Sequence, residues 1–418
     1  MTKADRLGRL TVGVMAAAVA CGLVGTAVAP PANALDACLS SALGTAKVGS
    51  ANCSAKGLTV AVAIGAGAMA NAAGWFSGAL AIGSNATAFG MPGYSSPNGF
   101  FNQALAFGEH AFASTDSDAG AGSGNLAMAM GKSSLAAAGD GIFNVATALG
   151  ASHAEATAGM GNLAAALFGA YAEASNGNVN KAIAGGEDAI THAYQGNLNT
   201  ATAFGTGHTG AEASYGNGNR AIAHNAELGS MATHGDFNIA VSSNSGVATS
   251  GYGGFNVAVA SRGSSASANR GNLNRATAYN TDAVSIAGGG DFNVAGASGP
   301  KTNSTATNGD RNRSNAFGYN NNAVAAGGDT PQSKSNGNVA TIFGNDSLAT
   351  SGLGNNNRTF VMGDGSNASA GTGSAAPAPG SGNRNTATVL GNGSTALAGP
   401  GDGHHVRVVG NNKSKRMP

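Results

Sequence analysis

Asn144-Val-Ala-Thr-Ala-Leu-Gly-Ala-Ser-His-Ala-Glu-Ala-Thr-Ala-Gly-Met-Gly161, followed at once by Asn162-Leu-Ala-Ala-Ala-Leu-Phe-Gly169, decides the fold. The same frame opens at Asn125, Asn144, Asn162, Asn180, Asn199, Asn219, Asn238, Asn256, Asn274, Asn293 and Asn312, at spacings of 18 to 20 residues. A fixed period of this length is the signature of a solenoid. Each unit holds two alternating runs closed by Gly, here Val145 to Leu149 and His153 to Ala158. Alternation at period two is the strand signal, because successive side chains point to opposite faces. It outranks the poor strand propensity of Ala, since it recurs in unit after unit. The frequent Gly and the lack of apolar spacing at three and four residues argue against helix.

The predicted fold class is therefore all-β: a parallel β-solenoid, or β-roll, of about 19-residue coils with two short strands per coil, stacked at about 4.8 Å. The glycines suit turns that need positive φ. The leading Asn tolerates turn geometry, and stacked Asn side chains can hydrogen-bond up a ladder.

The faces follow from the cost of burying unpaired charge. In the second strand Ala154, Ala156 and Ala158 alternate with His153, Glu155 and Thr157, so the alanines are expected inside. In the first strand the larger parity is expected inside, packing against small residues across a thin core. It comprises Leu105 and Phe107, Met128 and Met130, Ile222, Val257 and Val259. That places the first-strand alanines on a flat outer face, an arrangement that Arg220, His224 and Tyr279 fit less well.

Outward from the array, residues 1–34 read as an export signal. Lys3, Arg6 and Arg9 form a positive start, Leu10 to Ala29 is apolar, and Ala32-Asn33-Ala34 is a small-residue cleavage site before Leu35. A retained membrane anchor is the competing reading, which would make the uncleaved signal the only membrane contact. Acylation at Cys21 is another. Cleavage leaves a mature chain of net charge −1, since Lys3, Arg6, Arg9 and Asp5 leave a total of 21 basic and 20 acidic residues. So few charges argue against electrostatic nucleic-acid binding.

Residues 35–57 read as a cap. Cys38 and Cys53 form an even pair in an exported chain and are expected to be bonded. Regular repeats fill 58–300. Residues 301–400 hold degenerate repeats marked by Asn312, Asn338, Asn357 and Asn385, with insertions between them. Earlier insertions carry Pro92, Pro97, Asp116 and Asp118, and 401–418 reads as a basic tail.

At Ala79-Leu-Ala-Ile-Gly-Ser-Asn-Ala-Thr-Ala-Phe-Gly90 the chain resembles the head repeat of YadA-like trimeric autotransporter adhesins, whose units run roughly S-V-A-I-G-x-x-A-x-A-x-G. Asn144 to Gly159 and Asn199 to Gly216 match the same frame. The resemblance covers 58–300 well and 300–400 loosely, with a longer period than in that family and no stalk or anchor barrel read after the array. It implies a left-handed parallel β-roll, a homotrimer and binding to host matrix proteins. In composition the chain also resembles the Gly/Ala- and Asn-rich secreted proteins of mycobacteria.

Catalytic motifs are scarce: no G-x-S-x-G, no P-loop and no H-E-x-x-H occurs. Gly205-Thr-Gly-His-Thr-Gly210 spells G-x-G-x-x-G, but it joins two short strands in a chain with 68 glycines. Asp236, Asp291 and Asp310 in Gly-rich turns read as turn formers rather than calcium ligands. His404 and His405 read as tail residues, Trp75 and Phe76 as cap packing, and Met128 and Met130 as core. No cofactor or metal is expected, and no catalytic residue is assigned.

The expected function is a non-enzymatic, secreted or cell-surface repeat protein, a structural or adhesin-like rod with an envelope or host-matrix partner. The alternatives are an ice- or crystal-surface binder using Thr147, Thr202 and Thr277 in one phase, and an enzyme with its site in the insertions. The mature chain is predicted to start at Leu35. Mass spectrometry of secreted material should find that N-terminus; an acylated Cys21 would overturn it.

Overall fold

The structure, a computed structural model, describes residues 36–91, 99–115, 122–205, 209–225, 229–326, 335–371 and 382–417. The signal segment with Cys21, Ala34 and Leu35 lies outside them, as do Pro92, Pro97, Asp116 and Asp118 of the insertions.

The described chain is a parallel β-solenoid of about 17 turns with a spacing near 19 residues and no helix. The first strands stack in register: Val145 pairs with Leu163 and Leu163 with Lys181, so that Ala146, Ala164 and Ala182 form one column. The second strands stack likewise, His153 on Tyr171 in the early coils and Ser265 on Val284 later. Insertions do not disturb this. Arg313 pairs with Val339 across residues 327–334, and Arg358 with Thr386 across 372–381. Register survives because each coil is aligned by its neighbours along its whole length, and a one-residue slip would turn every alanine outward.

The core lies between the two stacks of strands and is built almost entirely of alanine. In the second strands Ala154 and Ala156 are fully buried, as expected. The first strands overturn the expectation. Ala104, Ala106, Ala127, Ala129, Ala146 and Ala148 are fully buried, whereas Leu105, Met128 and Val257 are half-buried on the outside and Met130 is exposed. Alanines thus face alanines across the core. The sheets are close enough for a buried serine on one to reach the backbone of the other. Ser250 Oγ donates to the Asn256 carbonyl at 2.7 Å, and Ser285 Oγ accepts from the Thr277 N–H at 3.1 Å. Among the described residues, the buried Ile and Val side chains, Ile342, Val361, Val389, Val406 and Val408, all lie toward the C-terminus.

The corner that ends each coil is held by the leading asparagines, buried without interruption from Asn102 to Asn385. Asn238 shows the pattern. Its N–H donates to Asn219 Oδ1 at 3.0 Å, and its own Oδ1 accepts from the Asn256 N–H at 3.1 Å. Its Nδ2 donates to the Gly253 carbonyl of the next coil at 2.9 Å. The side chain therefore satisfies backbone groups that no strand ladder can reach, which buried polar groups require. Ser77 Oγ starts the column by accepting from the Asn102 N–H, and the His404 N–H ends it on Asn385 Oδ1.

This corner constrains its neighbours. Gly235 has φ +133°, and a Cβ there would lie 1.9 Å from the Gly253 carbonyl oxygen, so only glycine fits. The residue just before each Asn adopts left-handed φ whatever its type: 57° at Phe237, 58° at Phe255 and 57° at Val179.

At the N-terminal end Ala37–Ser41 pairs antiparallel with Gly44–Val48 and with the first-coil strand, Leu39 opposite Val62. This hairpin covers the edge that an open stack would expose. Cys38 and Cys53 are bonded, with Cα atoms 5.7 Å apart. The strand Asn52–Ile64 runs from the stretch read as cap straight into the first coil, pairing with Met69–Ile82. At the other end the stretch read as a tail forms a full coil, His405–Val409 on Thr386–Leu390 and Ser414–Met417 on Thr395–Ala398.

The face assignment predicts a contrast between adjacent residues. Ala148→Leu should overpack the core and cost about 1–3 kcal/mol, as should Ala156→Leu. Leu149→Ala and Glu155→Leu, on outer faces, should each stay near 0.5 kcal/mol. Thermal or denaturant melts that find Leu149→Ala the more damaging first-strand change would reverse the assignment.

Candidate functional site

The outer face of the first strands is the feature with most to offer a partner. In the first six coils, Val60 to Leu167, most outward positions are large and apolar, among them Val60, Val62, Ile64, Leu105, Phe107, Leu126, Met128, Met130, Leu163 and Leu167, with Gly78, Gln103, Thr147 and Ala165 the exceptions. No outward position there carries a charge. In-register stacking packs each side chain against its equivalents one coil away, but one flank stays open. The zone is on the order of 500 Å² in plan, from the coil spacing and strand length. Contiguous apolar surface of that size, rimmed by polar residues, marks an interaction site. Such a rim is present at the adjoining corner, where Lys132 Nζ meets Glu109 Oε2 at 3.2 Å.

From Lys181 onward the same face changes character. Lys181, Arg220, Arg275, Arg313 and Arg358 occupy one column, the first outward position of their strands, and all five are exposed. No described first strand from Val60 to Val409 contains Asp or Glu. In the column at the far end of the strands Phe204, Tyr279, Phe317 and Phe343 are interspersed with small residues such as Ser243, Ser261 and Ser298, and Phe317 and Phe343 are stacked at 5.0 Å. Between these columns Arg313, Asn315, Phe317, Val339, Thr341 and Phe343 line a shallow depression of about 390 Å³. Turned to the orientation its neighbours require, the Asn315 amide oxygen accepts from Arg313 Nε at 3.0 Å.

Three acidic side chains, Glu155, Glu173 and Glu212, sit on the other sheet, and the remaining described acids lie at corners and turns. His153, Tyr171, His192, Tyr194, Tyr215, His234 and Tyr252 form a continuous run of rings, with centroids 4.8 to 6.4 Å apart. Glu173 lies within it. It accepts from the Tyr171 hydroxyl at 2.8 Å, and its Oε2 stands 3.6 Å from His192 Nδ1. The His192 ring holds the Glu173 carboxyl below its ordinary value; burial opposes this, and Tyr171 and Ser175 add to the lowering. Burial, then the bond to Glu173, pushes the Tyr171 hydroxyl well above its ordinary value. The arrangement keeps Tyr171 a neutral donor and Glu173 a charged acceptor.

The remaining sequence candidates fall elsewhere. Trp75 and Phe76 do not pack under a cap: both are about half exposed, stacked on Phe100 and Phe101 at 6.5 and 5.4 Å. Met128 and Met130 belong to the outer apolar zone rather than the core. The Oδ1 atoms of Asp236, Asp291 and Asp310 accept backbone N–H groups of the preceding coil at 2.7 to 2.8 Å, forming a second, exposed ladder. Thr147, Thr202 and Thr277 do share one outward column, but Ala165, Ile183 and Ile222 interrupt it. The G-x-G-x-x-G stretch lies partly outside the described residues. Among the described residues no three His, Cys, Asp or Glu side chains converge as metal ligands would.

Sequence reasoning missed a row of exposed apolar residues on the asparagine corner. Phe143, Leu198, Phe255 and Phe292 precede their asparagines and stand out at left-handed φ. Phe237 lies over the glycine of the coil before it, since a Cβ on Gly218 would meet the ring at 2.6 Å. The available signal was the recurrent Phe or Leu immediately before Asn.

Comparison with known protein families, with curated proteins and with solved structures finds no match. The class defined by fold and surface is a capped parallel β-solenoid with one long face divided into apolar and cationic zones.

The Glu173 cluster carries a pH dependence. Because the folded carboxyl is held below its ordinary value near 4.5, its contribution to stability is fully present above that pH and is lost as pH falls through the folded value. The melting-temperature difference between wild type and Glu173→Gln should therefore be constant above about pH 5 and shrink below about pH 4. A difference that grows on acidification would contradict the cluster.

Proposed function

We propose that this is a non-enzymatic, secreted or cell-surface interaction rod, of the adhesin-like kind that the YadA-type head frame implies. The single observation that carries the reading is the charge-free apolar zone from Val60 to Leu167 on a rigid sheet. A face of large apolar residues gains stability only when covered, and the core, being alanine, does not need them. The occupant that suits a flat, self-similar sheet is another copy of the chain, a homotrimer, with an envelope or host-matrix component as the external ligand. The export-type N-terminus and the disulfide-closed cap fit an oxidising compartment. Cations and acids are nearly balanced, 21 to 20, and the corners carry both signs, which offers no electrostatic case for duplex nucleic acid.

Light scattering on the mature chain should give an oligomer, and fractionation should place it outside the cytoplasm. Leu105→Glu with Leu163→Glu, both outward, should dissociate the oligomer and leave the circular dichroism of the rod unchanged. A monomeric wild type that binds no envelope or matrix component would end the reading.

A further inference from the structure

The cationic zone lies beyond the apolar zone on the same sheet, from Lys181 onward, and its layout is specific. Lys181, Arg220, Arg275, Arg313 and Arg358 share one column, separated by two, three, two and two coils. At the coil spacing this is one cation every 10–14 Å or so. None of the five forms an ion pair among the described residues; no acid lies on their own sheet, and Asp291 and Asp310 are on the adjoining corner with their Oδ1 atoms engaged by backbone N–H groups. A fold that needed only solubility could place such charges on any outward position and mix the signs. Here five of the six outward Lys and Arg side chains of the first strands from Val60 to Val409 keep to one line parallel to the rod axis, Arg407 alone lying in the next column.

We infer that this column is the binding track for an extended anionic polysaccharide carrying about one carboxylate or sulfate per disaccharide. The spacing selects among linear polyanions. Nucleic acid places a phosphate about every 3.4 Å along each strand, so most of its charges would find no partner on cations three or four times farther apart. One charge per disaccharide is of the same order as the cation spacing. The second observation is the depression beside Arg313, about 390 Å³ and walled by the stacked Phe317 and Phe343, with Asn315 and Thr341 supplying polar edges. The two rings are stacked on each other one coil apart, so their edges give the depression an apolar wall while the guanidinium of Arg313 is offered to a carboxylate. The Asn315 contact to Nε fixes the guanidinium and leaves its terminal nitrogens free to act. The inference rests on the reading of the chain as an interaction rod but not on self-association, which uses the other zone.

The test uses the full mature chain with hyaluronan, which has one carboxylate per disaccharide, against neutral dextran and a single-stranded oligonucleotide of matched length. At low salt, about 10 mM, the Debye length of about 30 Å spans the cation spacing, and by 0.1 M it has shrunk to about 10 Å. Hyaluronan should bind at the lower salt and weaken at the higher, with dextran inert. Arg275→Glu with Arg313→Glu should weaken binding by roughly tenfold or more, the scale of charge-focused attraction. Arg262→Glu with Arg270→Glu, exposed corner residues off the track, should leave it unchanged. Phe343→Ala should weaken hyaluronan without altering the salt dependence. The Leu105→Glu, Leu163→Glu variant should still bind, which separates this site from self-association. No binding at low salt, equal loss in both arginine pairs, or an oligonucleotide that holds through 0.1 M salt while hyaluronan is released would each overturn the inference.

Discussion

Everything in this molecule follows from two sheets held apart by little more than methyl groups. A core of alanine gives only a small hydrophobic gain per residue, since that gain scales with apolar area. The stack compensates by repetition: each coil buries its faces against two others, and stability accumulates as a sum of coils and interfaces. The narrow interior also sets what the corners must do. With strands this close the chain turns within a few residues, leaving N–H and carbonyl groups outside both ladders. The asparagine column meets them, each side chain linking the corner of one coil to the next. The column keeps its bond lengths even in the C-terminal coils that bury Ile342, Val361 and Val389, where the Asn357 and Asn385 N–H groups still meet the preceding Oδ1 at 2.9 and 3.0 Å.

The same constraint explains strain and surface together. The residue before each asparagine is forced to left-handed φ by the corner, not by its own preference. Glycine at Gly124, Gly161 and Gly218 is the easy answer, yet Phe143, Val179 and Phe237 in the following coils accept the conformation. For a β-branched residue such as Val179 this is a real departure from its preferred geometry. A strained backbone bearing a bulky apolar side chain is a place where packing over the neighbouring glycine, or contact with a partner, offsets the cost.

Large side chains that do not fit inside are left on the outer faces, and there they are free to differ from coil to coil. The first sheet uses that freedom along its length, apolar to Leu167 and cationic from Lys181, while the second sheet gathers Glu155, Glu173 and the histidine–tyrosine run. Function on such a rod is a matter of columns rather than pockets: a side chain acts with its equivalents one, two or three coils away.

Reading the chain alone reaches the repeat, its period, the two strands, the glycine corners, the asparagine ladder and the pairing of Cys38 with Cys53, because all of these are local or recur at a fixed interval. The inward direction of Ala154 and Ala156 was legible too, since Glu155 and His153 break the tie between parities. The first strand lacked that tie-breaker in its early coils. Alternation states that neighbours face opposite ways but not which way is in, and the usual rule that large apolar residues go inside pointed Leu105 and Met128 the wrong way. Arg220, Arg275 and Arg313 stood on the same parity and held the correct answer. Only the tertiary structure decided it, because the distance between the sheets is a property of the closed coil, set jointly by both strands and both corners. The cationic column was written in the repeat frame, since Lys181, Arg220, Arg275, Arg313 and Arg358 each follow a leading Asn, but which face that position takes was decided only by the stacked structure.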